Sequence, residues 1–319
     1  MKISVLGCGR WGTFISWYLS THKHSVCQWG RENSSSFIEI SNSRKNDYVT
    51  LGENIYFTSD LEKAISISDV IIISISSQSL RELAQKISKY DVRKKIFLLC
   101  MKGIESQTGK RLTEVMVDCG IQSENLAIWV GPGHIQDFLN GLPNCMLIDS
   151  SNRDLTVFLA DSFRSELIRF YYGEDLIGSE IGAAAKNVMG LAAGMLDGGG
   201  YSTLKGPLMA RGAREVSRLI KAMGGSELSA YGLCHLGYYE TTLFSVHSHN
   251  RRFGEAFVKG EKFDKLAEGV STTQALCLLA DKYNVEMPIT KAVYSILFEK
   301  ANPMDVFLNL FSRSSKKEF

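Results

Sequence analysis

The sequence predicts an α/β protein, in which a doubly wound parallel sheet over residues 1–178 is followed by an all-helical domain over residues 179–319. Three observations carry that expectation. Short, nearly continuous apolar runs alternate with amphipathic stretches through the first half; long helical stretches replace them after Gly178; and a Gly-x-Gly-x-x-Gly pattern separates the first run from the first helix-like stretch. At 319 residues the chain has material for about two domains. With 45% hydrophobic and 22% charged residues it is not intrinsically disordered.

Taken in order, the apolar runs are residues 3–6, 25–29, 70–75, 96–100, 126–130 and 145–148. Such β-branched runs suit strands buried on both faces, with crossover helices such as 80–88 and 110–117 between them. The second half reads as helices over 179–196, 208–223, 226–233, 272–283 and 289–298, punctuated by Gly198 to Gly200, Gly224-Gly225 and Asn302-Pro303. The polar tail, 312–319, is expected to fray. Gly7, Gly9, Arg10 and Gly12 interrupt the apolar N-terminus, which therefore reads as mature structure and not as a signal peptide. No segment reaches membrane-spanning length without a charge, since even the small-residue run after Ile181 carries Lys186. A balance of 36 Lys and Arg against 34 Asp and Glu, net +2, argues against nucleic acid as a partner. Seven cysteines with no Cys-x-x-Cys pair and no His/Cys cluster predict a reducing cytoplasm and no bound metal.

The glycine pattern is Gly7-Cys8-Gly9-Arg10-Trp11-Gly12, placed between a strand-like run and a helix-like one. Gly7 permits the tight turn, Gly9 lets the backbone approach a pyrophosphate, and Gly12 allows close helix packing. The helix N-terminus then points its amides at negative charge, so the expected cofactor is a dinucleotide. After the second strand the chain reads Trp29-Gly30-Arg31-Glu32. The Arg31 guanidinium suits a 2'-phosphate and favours NADP, whereas Glu32 turned inward would select NAD.

Catalytic chemistry is expected at Lys186. Its neighbours three and four positions away are Gly182, Ala183, Met189 and Gly190, which leave space beside a poorly hydrated ammonium. Such a lysine has the depressed pKa that proton transfer near neutral pH needs. Lys102 follows the run 96–100, at the strand edge where open α/β sheets bind ligands. A third cluster, His247-Ser248-His249-Asn250-Arg251-Arg252, is a compact set of donors suited to phosphate.

Together these segments resemble the bacterial type of NAD(P)-dependent glycerol-3-phosphate dehydrogenases. The matching stretches, over some 260 residues, include the glycine motif, Trp29-Gly30-Arg31, Ser76-Ser77-Gln78, Lys102-Gly103-Ile104, Gly131-Pro132, Ala185-Lys186-Asn187-Val188, Leu196-Asp197-Gly198, Asn250-Arg251-Arg252-Phe253-Gly254 and Glu268-Gly269-Val270. The resemblance implies a Rossmann domain and a helical domain with the active site between them. It implies reversible hydride transfer from NAD(P)H to dihydroxyacetone phosphate, supplying glycerophospholipid synthesis. Carried over by position, Lys186 is the proton donor and acceptor, and Lys102 touches substrate and cofactor. Gly131 is a backbone contact to substrate, with Gly133, Asn187, Ser248, His249, Asn250 and Arg251 as further substrate-side residues. Arg10, Trp11, Arg31, Ile135, Leu266 and Glu268 fall on the cofactor side, and the expected assembly is a homodimer.

The chain departs from the family at three places. His235-Leu236-Gly237-Tyr238-Tyr239 stands where the family has Gly-Leu-Gly-Asp-Leu, so a carboxylate near Lys186 is missing, and Glu240 is the nearest candidate to replace it. His249 occupies the place of an arginine, leaving Arg251 to reach the phosphate, and Gly131-Pro132-Gly133-His134-Ile135 replaces Gly-Pro-Ser-Phe-Ala. Two further readings therefore stand beside the first: a dinucleotide-binding sensor with a degenerate substrate site, and a dehydrogenase for another 2-oxo or 2-hydroxy compound.

Overall fold

A computed structural model describes residues 1–314 and 317 of the chain. Two compact units emerge, one of Met1–Lys102 with Lys110–Glu180, the other of Gly103–Gly109 with Ile181–Phe319. The 103–109 excursion into the second unit is not visible in the hydrophobic pattern.

The first unit alternates β1 (Lys2–Leu6), α1 (Arg10–Thr21), β2 (Ser25–Trp29), α2 (Ser35–Ser43), β3 (Tyr56–Thr58), α3 (Leu61–Ser66), β4 (Val70–Ile73), α4 (Leu80–Ile87), β5 (Ile96–Leu99), α5 (Leu112–Asp118), β6 (Leu126–Val130), α6 (Ile135–Leu139), β7 (Asn144–Asp149), α7 (Arg153–Phe163) and β8 (Ile168–Tyr172). The sheet order is β3-β2-β1-β4-β5-β6-β7-β8, a Rossmann-like doubly wound arrangement whose order reverses between β1 and β4. All of Val70–Ile73 is buried, as a strand covered on both faces requires. The predicted all-parallel sheet is corrected at one seam, where β7 runs antiparallel to β6 with Ile128 opposite Asp149.

The edge strands β3 and β8 lack the continuous apolar runs that reveal central strands. In β8, Ile168 and Phe170 face inward while Arg169, Tyr171 and Tyr172 are exposed, and β3 is only three residues long. Between β6, α7 and β8, Trp129 stacks on Phe163 and meets Phe170 edge-on, filling the volume between sheet and helix.

The second unit is helical. Its backbone is α8 (Leu176–Gly198), which begins in the first unit, followed by α9 (Lys205–Ala222), α10 (His249–Lys259), α11 (Gly269–Lys282), α12 (Pro288–Phe298) and α13 (Pro303–Phe311). The helix predicted over 226–233 is instead a short 3-10 turn, Glu227–Tyr231. Flanked by Gly224-Gly225 and Gly232, that stretch is too short to nucleate an α-helix. Of the tail expected to fray, residues 315, 316, 318 and 319 lie outside the described residues.

Glu215, fully buried on α9, accepts from the backbone N–H of Ile289 (2.7 Å) and Thr290 (2.9 Å) and from the Thr290 hydroxyl (2.6 Å). Those amides begin α12, so a carboxylate caps the positive end of that helix from a neighbouring one. Burial pushes the Glu215 pKa up, and these hydrogen bonds oppose the rise.

Gly190, Gly194 and Gly198 recur every fourth residue along one face of α8. A Cβ at Gly194 would collide with the Arg251 backbone, and one at Gly198 would sit 2.8 Å from the Glu255 carbonyl. From the other side, a Cβ at Gly254 would collide with the Leu191 carbonyl. Helices α8 and α10 therefore pack backbone against backbone.

Candidate active site

In the first unit the glycine-rich turn is built by sterics. Gly7 has φ +123°, and any Cβ there would collide with the Ser74 carbonyl; a Cβ on Gly12 would collide with the carbonyl of Gly7. Gly9, by contrast, faces open space and has ordinary extended backbone angles. No described side chain caps α1, so its first-turn amides face that space. This is the cradle a pyrophosphate needs, and the residues present fit a dinucleotide. The Trp11 indole N–H is buried with no hydrogen-bond partner among the described residues, a further donor left for a ligand.

Trp11 is held from behind by Phe14 (5.0 Å between rings) and Phe138 (6.4 Å), and the Lys102 ammonium lies 5.0 Å from its ring centroid. Phe138 also accounts for Gly133. With φ +146° and a Cβ that would collide with the Phe138 ring, that position disfavours any side chain. Gly131 is equally constrained, at φ +141° and with a Cβ that would lie 2.7 Å from the Met146 Cα. Ile135 is buried in the core, and Arg10 rests over Tyr48 at 5.6 Å. Gly30, pressed against Phe37 and Cys8, fixes the turn after β2, and Arg31 and Glu32 beyond it are both exposed.

In the second unit Lys186 is half-buried on α8. It donates to the Thr242 hydroxyl at 3.3 Å, and its ammonium lies 4.8 Å from the centroid of the Tyr238 ring. The glycines around it do not leave an empty face, as the sequence suggested. A Cβ on Gly182 would come 3.0 Å from Cys234 Sγ, and one on Gly190 would come 2.7 Å from Thr242, so these glycines admit the 234–244 segment against the helix. Glu240 is exposed.

His235, fully buried, ties that segment down. Its Nδ1 lies 2.9 Å from the Gly182 carbonyl and its Nε2 2.7 Å from the Tyr239 hydroxyl. A carbonyl only accepts, so Nδ1 carries the proton and Tyr239 donates to Nε2. Burial pulls the His235 pKa down to about 4, the Gly182 bond opposes the fall, and the Lys186 charge adds to it. No signal short of the His235/Tyr239 four-residue spacing announces this network in the sequence.

The residues expected on the phosphate side are more committed than their polarity suggests. Asn250 donates to the Asn187 side chain (3.0 Å) and accepts from the Gly269 amide (2.9 Å), joining α8, α10 and α11. Ser248 caps α10 by accepting from the Arg251 amide at 3.3 Å. Arg251 does not stand free for a ligand, because its Nε donates to Asp197 at 2.7 Å and a second nitrogen lies 3.4 Å from Glu255. Asp197 also takes the buried Lys205 ammonium at 2.6 Å. His249 packs edge-on against Phe263; Glu268 opens α11, and Leu266 is 63% exposed. Away from Lys186, on another face of α8, a cavity of about 540 Å³ is lined by Leu196, Leu208, Ile289 and Phe307, with Arg211 and Arg313 among its polar residues.

Comparison with known proteins agrees with this architecture. Residues 2–156 match the family model of the NAD-dependent glycerol-3-phosphate dehydrogenase N-terminus and residues 175–308 that of its C-terminus. The chain is 35% identical to glycerol-3-phosphate dehydrogenase [NAD(P)+] of Thermoanaerobacter sp. over 100% of its own length and 99% of that protein's. It is 33% identical to the enzyme of that name from Prosthecochloris aestuarii, over the whole of both chains. The crystal structure of glycerol-3-phosphate dehydrogenase from Coxiella burnetii superposes with a TM-score of 0.89 at 27% identity, covering 98% of this chain and 99% of that one. The chain therefore belongs to the NAD-dependent glycerol-3-phosphate dehydrogenase family.

Proposed function

We propose that the chain catalyses the reversible reduction of dihydroxyacetone phosphate to sn-glycerol 3-phosphate with NAD(P)H. The observation that carries the reading is an ammonium, Lys186, oriented by an aromatic face and a hydroxyl on a helix packed without side-chain bulk. A bound reduced nicotinamide supplies a hydride to the carbonyl carbon. The Lys186 ammonium polarises the carbonyl oxygen and gives it a proton, leaving a neutral amine that recovers a proton from water. Lys102, steadied on Trp11, adds positive charge beside the substrate or cofactor. The amides at the start of α10, whose cap is Ser248, receive the phosphate together with His249. In this role Asn187 and Asn250 act by holding α8, α10 and α11 in register, and Arg251 by fixing the Asp197 corner.

Arg31 favours NADPH over NADH, since an exposed guanidinium after β2 matches a 2'-phosphate. Among the described residues no helix is long and apolar enough to cross a membrane. We place the enzyme in the cytoplasm as a homodimer, its product entering glycerophospholipid synthesis. A sensor without turnover would leave Lys186 without a task, and the full-length relatives carry the enzyme's name.

The test is loss of reduced-nicotinamide absorbance with NADPH and NADH separately, against dihydroxyacetone phosphate and a panel of 2-oxo acids. Turnover with dihydroxyacetone phosphate, faster with NADPH, is expected. Oxidation of neither cofactor at any substrate concentration would leave the sensing role, and turnover with a 2-oxo acid alone would change the substrate.

A further inference from the structure

The aromatic face beside Lys186 belongs to Tyr238, and the turn that carries it is itself tied to α8. Tyr238 is 2% exposed, its ring centroid is 4.8 Å from the Lys186 ammonium, and it closes the 3-10 turn Leu236–Tyr238. The turn begins directly after His235, which is bonded to the Gly182 carbonyl, and Gly182 lies one helical turn before Lys186 on the same face of α8. Tyr239, the next residue, holds the other nitrogen of that imidazole. The main chain on either side of Tyr238 is thus anchored to the helix that bears the lysine, and the ring between the anchors covers the ammonium.

We propose that Tyr238 is a positioning residue for Lys186, fixing the ammonium through the negative face of its ring. The inference rests on the proposed reaction for its kinetic consequence only. A ring face attracts an ammonium within about 6 Å of its centroid and holds it in one direction, yet it has no lone pair that accepts the proton. A carboxylate would do both. The ring therefore orients the donor while leaving its proton for the substrate oxygen. Nearby groups that act on Lys186 include the neutral His235 imidazole at the cap of the turn and the Thr242 hydroxyl on the following segment, Glu240–Phe244. The proposed role belongs to the π face of the ring.

The experiment grades the ring without changing its shape. Phenylalanine and its mono-, di- and trifluorinated forms are incorporated at position 238 of the full chain, beside Tyr238→Leu, each verified as folded by its melting transition. Two readouts follow: an NMR titration of the Lys186 side chain, independent of catalysis, and kcat against pH with KM for both substrates. The Lys186 titration midpoint is expected to fall stepwise with fluorination, by about half to one pH unit over the series. The alkaline limb of kcat should fall with it, and kcat should drop about tenfold in Tyr238→Leu with KM values within about threefold. Tyr238→Phe should restore most of what Tyr238→Leu loses. A titration midpoint indifferent to fluorination, or a Tyr238→Phe variant as impaired as Tyr238→Leu, would overturn the proposal. If the native chain shows no turnover of dihydroxyacetone phosphate, the reaction is wrong, but the NMR titration still decides the role of the ring.

Discussion

In each unit a lysine proposed for the reaction lies over an aromatic ring, Lys102 over Trp11 at 5.0 Å in the first and Lys186 over Tyr238 at 4.8 Å in the second. The two rings are positioned by different means. Trp11 belongs to the glycine-rich turn itself, where positive φ and the absence of Cβ atoms leave the backbone little choice, and Phe14 and Phe138 close in behind it. Tyr238 sits on a short 3-10 turn whose position depends on one imidazole bonded at both nitrogens. A backbone-dictated site changes little without losing the fold around it, whereas one held by a side-chain network can exchange its members. The glycine motif is of the first kind, and the 235–239 stretch is of the second.

The largest test of the contrast is Lys186→Ala. Removing the proposed proton donor should lower kcat about a thousandfold while NADPH affinity, read by fluorescence titration, stays within a few-fold. An equal loss of affinity would move Lys186 into the cofactor site. Next come the glycines. Gly7→Ala and Gly12→Ala should each cost roughly 2–3 kcal/mol in chemical denaturation, because a Cβ meets backbone that cannot retreat. Gly9→Ala should leave that stability almost unchanged while weakening NADPH binding, since the methyl enters only the open space before α1. Similar stability losses at all three positions would show that Gly9 too is a packing glycine.

The network of the second unit should be sensitive to acid. With its pKa lowered from 6.5 to about 4, His235 is protonated in the unfolded chain before it is in the folded one. Its contribution is thus complete above pH 6.5 and lost as pH falls toward 4, amounting to about 2 kcal/mol between pH 7 and pH 5. Denaturant melts of the native chain and His235→Asn should converge by that amount as pH falls; a constant difference would mean that the imidazole titrates normally. The smallest effect is expected at Arg31→Ala, which should narrow the preference for NADPH over NADH about tenfold in kcat/KM, or about 1.4 kcal/mol. An unchanged ratio would assign that charge to the solvent.

Much of the first unit was legible because buried parallel strands are written as unbroken apolar runs and a dinucleotide turn needs glycine at fixed spacing. What stayed hidden was the edge strands β3 and β8, whose exposed faces dilute the pattern, and the reversal of β7, which side-chain alternation does not encode. In the second unit the helices around Lys186 were legible from their period, and the lysine from its small neighbours. The partners of that lysine were not, because Tyr238, Thr242 and His235 reach it from some 50 residues along the chain. Arg251 shows the converse: it reads as a free phosphate donor, yet Asp197 has claimed it.

The small-residue face that α8 turns toward α10 has a consequence for which substrates are accepted. With main chains touching there, the helix carrying the proposed acid and the one whose opening turn would receive the phosphate cannot draw closer to suit a shorter molecule. Under the proposed reaction that contact is a calliper closed to its limit, and it sets the least span between a ligand's carbonyl and its anionic end.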